Sequence, residues 1–418
     1  RPNRTLMEII SKNVRRPDIT LGDLRAQMAS CHAGQRRMLK LFDKYGKDTV
    51  LDAMDELMNY SERRVRHNID EIPDGIYQAD NYMDDDGVTD EPAKIHVKVK
   101  IDGSDVFVDF TGTDKQRKGA INSPVSASQS AVYGAIRYFC DPDIPQNDGC
   151  YKPIEIVTPE GTLVNPKHPA ACVARVGIYY RIVEGIFKAL SEVLPNKVGT
   201  ASYGTSPVYS ISGIDTRTGD YFIHLDAVHG SWGARAYTDG NDGLCYFLNP
   251  GNQTIEDMEE RHPYLLFQYW GFVTDSGGPG KYRGGLATKR VVKFLVPEGV
   301  LAVRSSRVKL APWGLSGGKP GAKSELILNP RTEEEKRLGS KVSMIPIKNG
   351  DVLSFTCAGA GGYGNPFERD PEAVRRDVIE GKVSIKSARR DYGVSIKPNT
   401  LALDHPARIG TFKAKEKS

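Results

Sequence analysis

The chain has 418 residues, 39% of them hydrophobic and 26% charged, with a formal net charge of +4. Such a composition is ordinary for a globular protein, and the length suits two to three domains. The small positive excess, with no Lys/Arg run interleaved with aromatics, argues against nucleic acid as a partner, and no apolar stretch nears the roughly 18 residues that span a membrane. Six cysteines at irregular spacing suggest free thiols in the cytoplasm rather than a disulfide framework.

The chain opens on Arg1 inside a helical pattern, as a processed or truncated polypeptide would. Apolar residues at helical spacing (Leu21, Leu24, Met28, Met38, Leu39, Phe42) predict a helix over 21–45 stopped by Gly46. A second helix over 48–69 would make an antiparallel hairpin with it, and the stripe is expected to pack against other protein. The period then changes to two. Ile95, Val97, Val99 and Ile101 alternate with polar residues, Asp102-Gly103 supplies a turn, and Val106, Val108 and Phe110 return on the same face. His96 falls on the outward face and reads as solvated. A third helix is expected over 176–194, with Val176, Tyr180, Val183 and Phe187 inward and Glu184, Lys188 and Glu192 on the charged side. From 195 to 355, short apolar runs among Gly, Pro, Asn and Asp turns predict an extensive sheet or sandwich. Two helices follow. One is capped by Asp370 and stopped by Gly381, and the other is capped by Ser384 and stopped by Gly393. The fold class is therefore α+β, with a helical hairpin region (1–75), a large β-rich body (76–365) and C-terminal helices with a basic tail (366–418).

Several local chemistries are excluded by their motifs. No GxxxxGK[ST], HExxH or CxxC occurs, so the Walker cradle and zinc sites of familiar spacing have no basis. Ser316-Gly-Gly-Lys319 fits SxxK only by letter, in a glycine-proline loop. Gly359, Gly361 and Gly364 have GxGxxG spacing, but Asn365-Pro366 prevents the helix that a dinucleotide turn must enter. What remains is a set of glycine-rich loops bearing polar side chains: 229–243 with His229, Arg235, Asp239, Asn241 and Asp242; 274–285 with Asp275, Ser276 and Arg283; and 304–321 with Arg304, Arg307, Lys309 and Trp313. Loops on a rigid sheet concentrate binding residues, and glycine lets backbone N–H groups approach an anion.

These loops, with RPDITLGDLRAQ (16–27), DFTGTDKQRKGAINSP (109–124), DIPQNDGCYKPIEIVTPEGTLVNP (143–166) and GGYGNPFERDPEAVRRDVIEGKVS (361–384), resemble the B-type subunits of the hydantoinase B / 5-oxoprolinase / acetone carboxylase family in colinear order. The resemblance makes the GxGxxG stretch a closing loop of the domain rather than a nucleotide site. It implies an A-type partner that binds ATP and phosphorylates the substrate or bicarbonate, and a B-type subunit that hosts the second half-reaction. It also implies a divalent metal, whose Asn-Asp-Pro, Thr-His-x-x-Asp and His-His-Ala-Asp segments are not in this chain, so the ligands are expected outside it or on a separate polypeptide. Hydrolytic relatives resemble one another in a His-x-x-Asn-Thr-like segment where this chain reads LCYFLNPGNQTIE (244–256).

That difference makes an ATP-dependent ketone carboxylase subunit, with bicarbonate or CO2 as co-substrate and a small third subunit, the first expectation. A cyclic amide hydrolase subunit and a non-catalytic assembly subunit are the alternatives. In either enzyme an anion develops at the reacting centre, so Arg283 and Arg307 are expected to meet it with guanidinium forks and His229 to handle the proton, oriented by Asp239. Asn122, Asp148, Asn241, Asp275 and Ser276 are the expected substrate-binding residues.

Overall fold

The computed structural model describes residues 2–245, 247 and 253–408. By its contacts the chain divides into two compact units, 1–64 with 143–152, and 65–142 with the residues from 153 onward. The first holds α1 (Arg4–Lys12), α2 (Pro17–Tyr45) and α3 (Lys47–Asp70) as far as Arg64. Pro17 opens α2 and Gly46, at φ 83°, ends it, as a residue without Cβ can. The apolar stripe of α2 is only half-covered: no residue of the helix is buried, and Leu39 and Leu41 are exposed. Segment 143–152 is tied to α3 through Ser61, whose Oγ donates to the Pro145 carbonyl (2.9 Å) and accepts from Asn147 Nδ2 (2.9 Å).

The second unit begins with β1 (Gly75–Met83), β2 (Ala93–Asp102) and β3 (Asp105–Asp109), continues through α4 (Val125–Tyr138), β4 (Ile154–Val157) and α5 (Val176–Ala189), and forms a sheet of order β1-β2-β3-β4. The predicted hairpin is present, with Asp102 opposite Asp105 and the inward residues Ile95, Val97 and Val99 fully buried. His96 is half-buried rather than simply solvated, because Asp80 on the neighbouring strand takes its Nδ1 (2.7 Å). α5 packs on β1, β2 and α4 and is buried on nearly every side, which is the mark of a core helix. It ends at Ala189, short of the expected 194.

Then come β5 (Val208–Ile214), β6 (Tyr221–Ala227), α6 (Ile255–Arg261), β7 (Leu265–Phe272), β8 (Thr288–Phe294), β9 (Glu298–Arg304), β10 (Glu325–Leu328), β11 (Lys336–Arg337), β12 (Lys341–Lys348) and β13 (Val352–Thr356). These strands form two sheets, of order β12-β9-β5-β6 and β11-β10-β13-β8-β7. α7 (Pro371–Ile379) and α8 (Ile385–Tyr392), with the ladder of β14 (Val394–Ile396) and β15 (Leu403–Arg408), close the chain. Both helix caps are as predicted: Asp370 accepts from Glu372 N–H, Ser384 accepts from Ser387 N–H, and Gly393 sits at φ 67°. Val374, Val383, Ala388 and Tyr392 make their small core. The architecture is α+β, with several sheets and helices at both ends.

The glycine-rich loops are where this unit is most tightly built. Consecutive amides from Gly359 to Gly364 donate to the carbonyls of Ala322, Gly285, Ala201, Lys319, Tyr282 and Leu315 in turn. Every N–H of the GxGxxG stretch is therefore bonded to another loop, and none is left for a phosphate. A Cβ on Gly361 would lie 2.0 Å from the Trp313 carbonyl oxygen. Glycine is needed here so that backbones can touch each other, not so that they can touch an anion.

Candidate functional site

His229, Asp239, Arg283 and Arg307 fall into three polar clusters of the second unit. The first is centred on Glu184. Its Oε2 accepts from Arg307 Nη2 (2.5 Å), Arg181 Nη1 (3.4 Å) and Asn81 Nδ2 (3.4 Å), and its Oε1 accepts from the backbone and hydroxyl of Ser202 (both 2.9 Å). Arg181 also donates to the carbonyls of Tyr82 (2.7 Å) and Gly204 (2.9 Å) and to Ser306 Oγ (2.8 Å). Glu184 was expected on the exposed side of its helix and is instead wholly buried. Its partners come from remote parts of the chain, and they convert a surface pattern into a core ion cluster. Burial, and then the Arg307 charge, lower Arg181 to about 10 against the pull of Glu184. Arg307 stands at φ 64°, a left-handed conformation that costs a non-glycine residue roughly 1–2 kcal/mol, and its ion pair with Glu184 holds it there.

The second cluster joins loops 229–243 and 274–285 to α7. Arg369 grips Asp239 with both Nη atoms (2.6 and 2.7 Å) and Asp377 with Nη2 (2.8 Å). Asp239 Oδ1 also accepts the Arg283 N–H (2.7 Å). The Arg283 guanidinium is buried, donating to the Gly284 carbonyl (2.7 Å) with Asp242 at 3.4 Å and Asp377 at 3.6 Å. Burial raises Asp377, whereas Asp239 is lowered although burial, the largest single effect, works the other way, because the hydrogen bonds and charges of Arg369 and Arg283 together outweigh it. Asp239 is thus placed on two arginines rather than on His229. Asn241 is exposed and accepts from Arg235 Nη2 (3.1 Å). Asp275, also exposed, caps α8 through Ser384 N–H (2.7 Å), and buried Ser276 accepts from Ala287 N–H (2.8 Å).

In the third cluster, β6 points His224 and Asp226 inward, and His229 follows it. Arg290 pairs with Asp226 and lies 3.7 Å over the Trp270 ring. His224 is 4.2 Å from the His262 ring, and burial, then that neighbour, lower it to about 4. His229 is buried, neither ring nitrogen has a hydrogen-bond partner among the described residues, and burial followed by the Arg290 charge lowers its pKa. It is therefore a neutral imidazole at pH 7. Asn122 is a buried brace whose Nδ2 donates to the carbonyls of Arg117, Gly119 and Ala171. Asp148, exposed, belongs to the first unit. Arg181, Asp226, Arg290 and Arg369 had no sequence signal, since each depends on partners distant in the chain. Among the described residues no group of three or more His, Cys, Asp or Glu side chains could hold a metal ion, so the residues present do not fit the expected metal. None of the helices is long and apolar enough to cross a membrane, among the described residues.

The Hydantoinase B/oxoprolinase profile matches residues 1–366. The chain belongs to that family. It is 38% identical over 407 residues to a Pseudomonas sp. (strain NS671) protein provisionally named as the B component of a D-/L-hydantoinase, covering 94% of this chain and 68% of that one. It is 30% identical over 409 residues to the beta subunit of the caprolactamase of Pseudomonas jessenii, covering 94% and 69%. The crystal structure of ATP-dependent caprolactamase from that organism superposes with a TM-score of 0.89 at 27% identity, over 97% of this chain and 72% of that one. Nucleotide-free acetone carboxylase gives 0.85 at 18% identity, over 97% and 61%, a likeness of fold alone. The chain is accordingly a member of an enzyme family, and the GxGxxG loop lies near the end of the matched segment. The stretch 244–256 that separated carboxylase from hydrolase lies partly outside the described residues.

Proposed function

We propose that the chain is a subunit of an ATP-dependent cyclic amide hydrolase, acting with an A-type partner that binds ATP. The observation that carries this reading is the 38% identity to the hydantoinase component, extended by the caprolactamase component at 30%. The carboxylase reading rests on fold likeness at 18% identity and takes second place. In the proposed reaction the partner transfers the γ-phosphoryl group of ATP to the ring amide oxygen, making its carbon open to attack. Water adds there, the C–N bond breaks as the amine takes a proton, and the acyl phosphate left behind takes up a second water to give carboxylate and phosphate.

His229 is the proposed proton-handling group: a neutral imidazole can accept a proton from water and return it to the leaving nitrogen. Arg283 and Arg307, already engaged by carboxylates, take the positioning role by holding their loops. Because burial lowers His229, its base form persists below the ordinary histidine pKa near 6.5, so turnover should fall on the acid side only as pH drops below that value. In the assembled complex, His229→Gln should lower kcat at least about tenfold, or 1.4 kcal/mol of barrier, and abolish that acid limb. Unchanged turnover with the same limb would remove His229 from the mechanism.

A further inference from the structure

A cleft of about 500 Å³ lies on the outer face of the β12-β9-β5-β6 sheet. Two cations line it, Arg304 and Lys341, and the ladder sets them directly opposite each other. Lys341 has Asp85 at 3.3 Å and Ser340 Oγ at 2.9 Å. Arg304 has no carboxylate partner among the described residues, and the contact found for its guanidinium is the Val173 carbonyl at 3.0 Å. Burial lowers both cations, with Arg175 adding its repulsion at Arg304 and Asp85 opposing the shift at Lys341.

Asp86 is the carboxylate at the rim, but it is committed elsewhere. Its Oδ1 accepts from the Val88 (2.9 Å) and Thr89 (2.6 Å) amides, and its Oδ2 from the Gly119 amide (3.0 Å). With Lys341 paired to Asp85, Arg304 is the cation of the cleft that no carboxylate answers among the described residues. The remaining walls are mostly aliphatic, with Val173 68% and Leu225 61% exposed at them. A bare anion would use Arg304 and leave the aliphatic wall wet. A neutral hydrocarbon would cover the wall and leave Arg304 without a counter-ion.

We propose that this cleft binds a small organic carboxylate with a hydrocarbon body, its head group on Arg304 and its chain along Val173 and Leu225. The planar fork of a guanidinium suits the two oxygens of one carboxylate. Opening a ring amide creates a molecule of this class, and in assigning the ligand to the product the inference rests on the hydrolase reading. The cleft would then hold the acid after the ring is broken.

The test is calorimetric titration of the chain with hexanoate, hexanamide and inorganic phosphate. Hexanoate should bind, and both hexanamide and phosphate at least tenfold more weakly. Arg304→Gln should weaken hexanoate at least tenfold. Leu225→Glu, at a position too exposed to threaten folding, should do the same by placing a carboxylate beside the ligand chain. Equal binding of hexanamide would make the cleft merely apolar, equal binding of phosphate would make it a general anion site, and hexanoate binding indifferent to both substitutions would place it elsewhere. Each of these results overturns the proposal. Ring-amide hydrolysis is measured separately on the assembled complex, so hexanoate binding without hydrolysis would remove the hydrolase reading and leave the cleft standing.

Discussion

Glu184→Gln should lower the unfolding free energy by about 3–5 kcal/mol, the usual result of removing one partner from a buried ion cluster. Glu184 is the carboxylate between Arg181 and Arg307, and all three side chains are buried. The amide keeps the shape of the carboxylate but not its charge, so two guanidinium groups would face each other in low dielectric. Asp84, which accepts the Val308 and Leu310 amides at 2.7 and 3.2 Å, adds some negative potential at Arg181 and cannot replace the lost contact. Arg307 would also lose the bond that holds its left-handed backbone, so the loop after β9 should loosen with it. Urea unfolding followed by circular dichroism measures the change. A double variant, Glu184→Gln with Arg307→Met, removes one of the two facing charges and should recover part of the loss. A single-variant effect below about 1 kcal/mol would mean that the cluster is hydrated and not a core element.

The second large effect is expected at Gly361→Ala. The added methyl would stand 2.0 Å from the Trp313 carbonyl oxygen and 2.7 Å from its carbon. Both are backbone atoms, so no side-chain rotation can make room, and loop 311–322 must move as a body. The Gly361 N–H bond to Ala201 and the neighbouring Gly362 bond to Lys319 would be strained together. A loss of about 3 kcal/mol or more is expected, at the upper end of overpacking costs. Gly22→Ala is the matched control. A Cβ added at Gly22, on the exposed helix α2, would meet nothing within 4 Å, and alanine there should stabilise by up to about 1 kcal/mol through helix propensity. Equal responses of the two variants in chemical unfolding would show that the loops are not interlocked.

What the sequence revealed depended on whether a signal was local. The hairpin over 93–109 was legible because alternation and Asp102-Gly103 act over neighbouring residues, and α7 and α8 were legible because their caps lie within three residues of what they cap. The start of α5 followed from its apolar period, but its end did not, since the final turn loosens after Ala189 although the period continues to Leu194. α4 was missed: its Ser- and Gly-containing stretch carries little helical signal, and packing on α5 makes it a helix. The buried charges were hidden for a related reason. Glu184 stands four residues before Lys188, a surface pattern by spacing, and only Asn81, Ser202 and Arg307 from elsewhere in the chain reveal its place. The glycine-rich loops were recognisable as loops of close approach. Glycine reports that something comes near, but not whether that neighbour is a phosphate or another backbone.

The proposal that this hydantoinase B family chain serves ring-amide hydrolysis is tested most directly by product stoichiometry. The chain, assembled with its A-type partner, is incubated with ATP and a cyclic amide such as a lactam or hydantoin, in the presence and absence of bicarbonate. ADP and the ring-opened acid should appear one for one, at a rate that bicarbonate does not change. ADP release that requires a ketone and bicarbonate, with no acid formed from any cyclic amide, would contradict the account and restore the carboxylase reading.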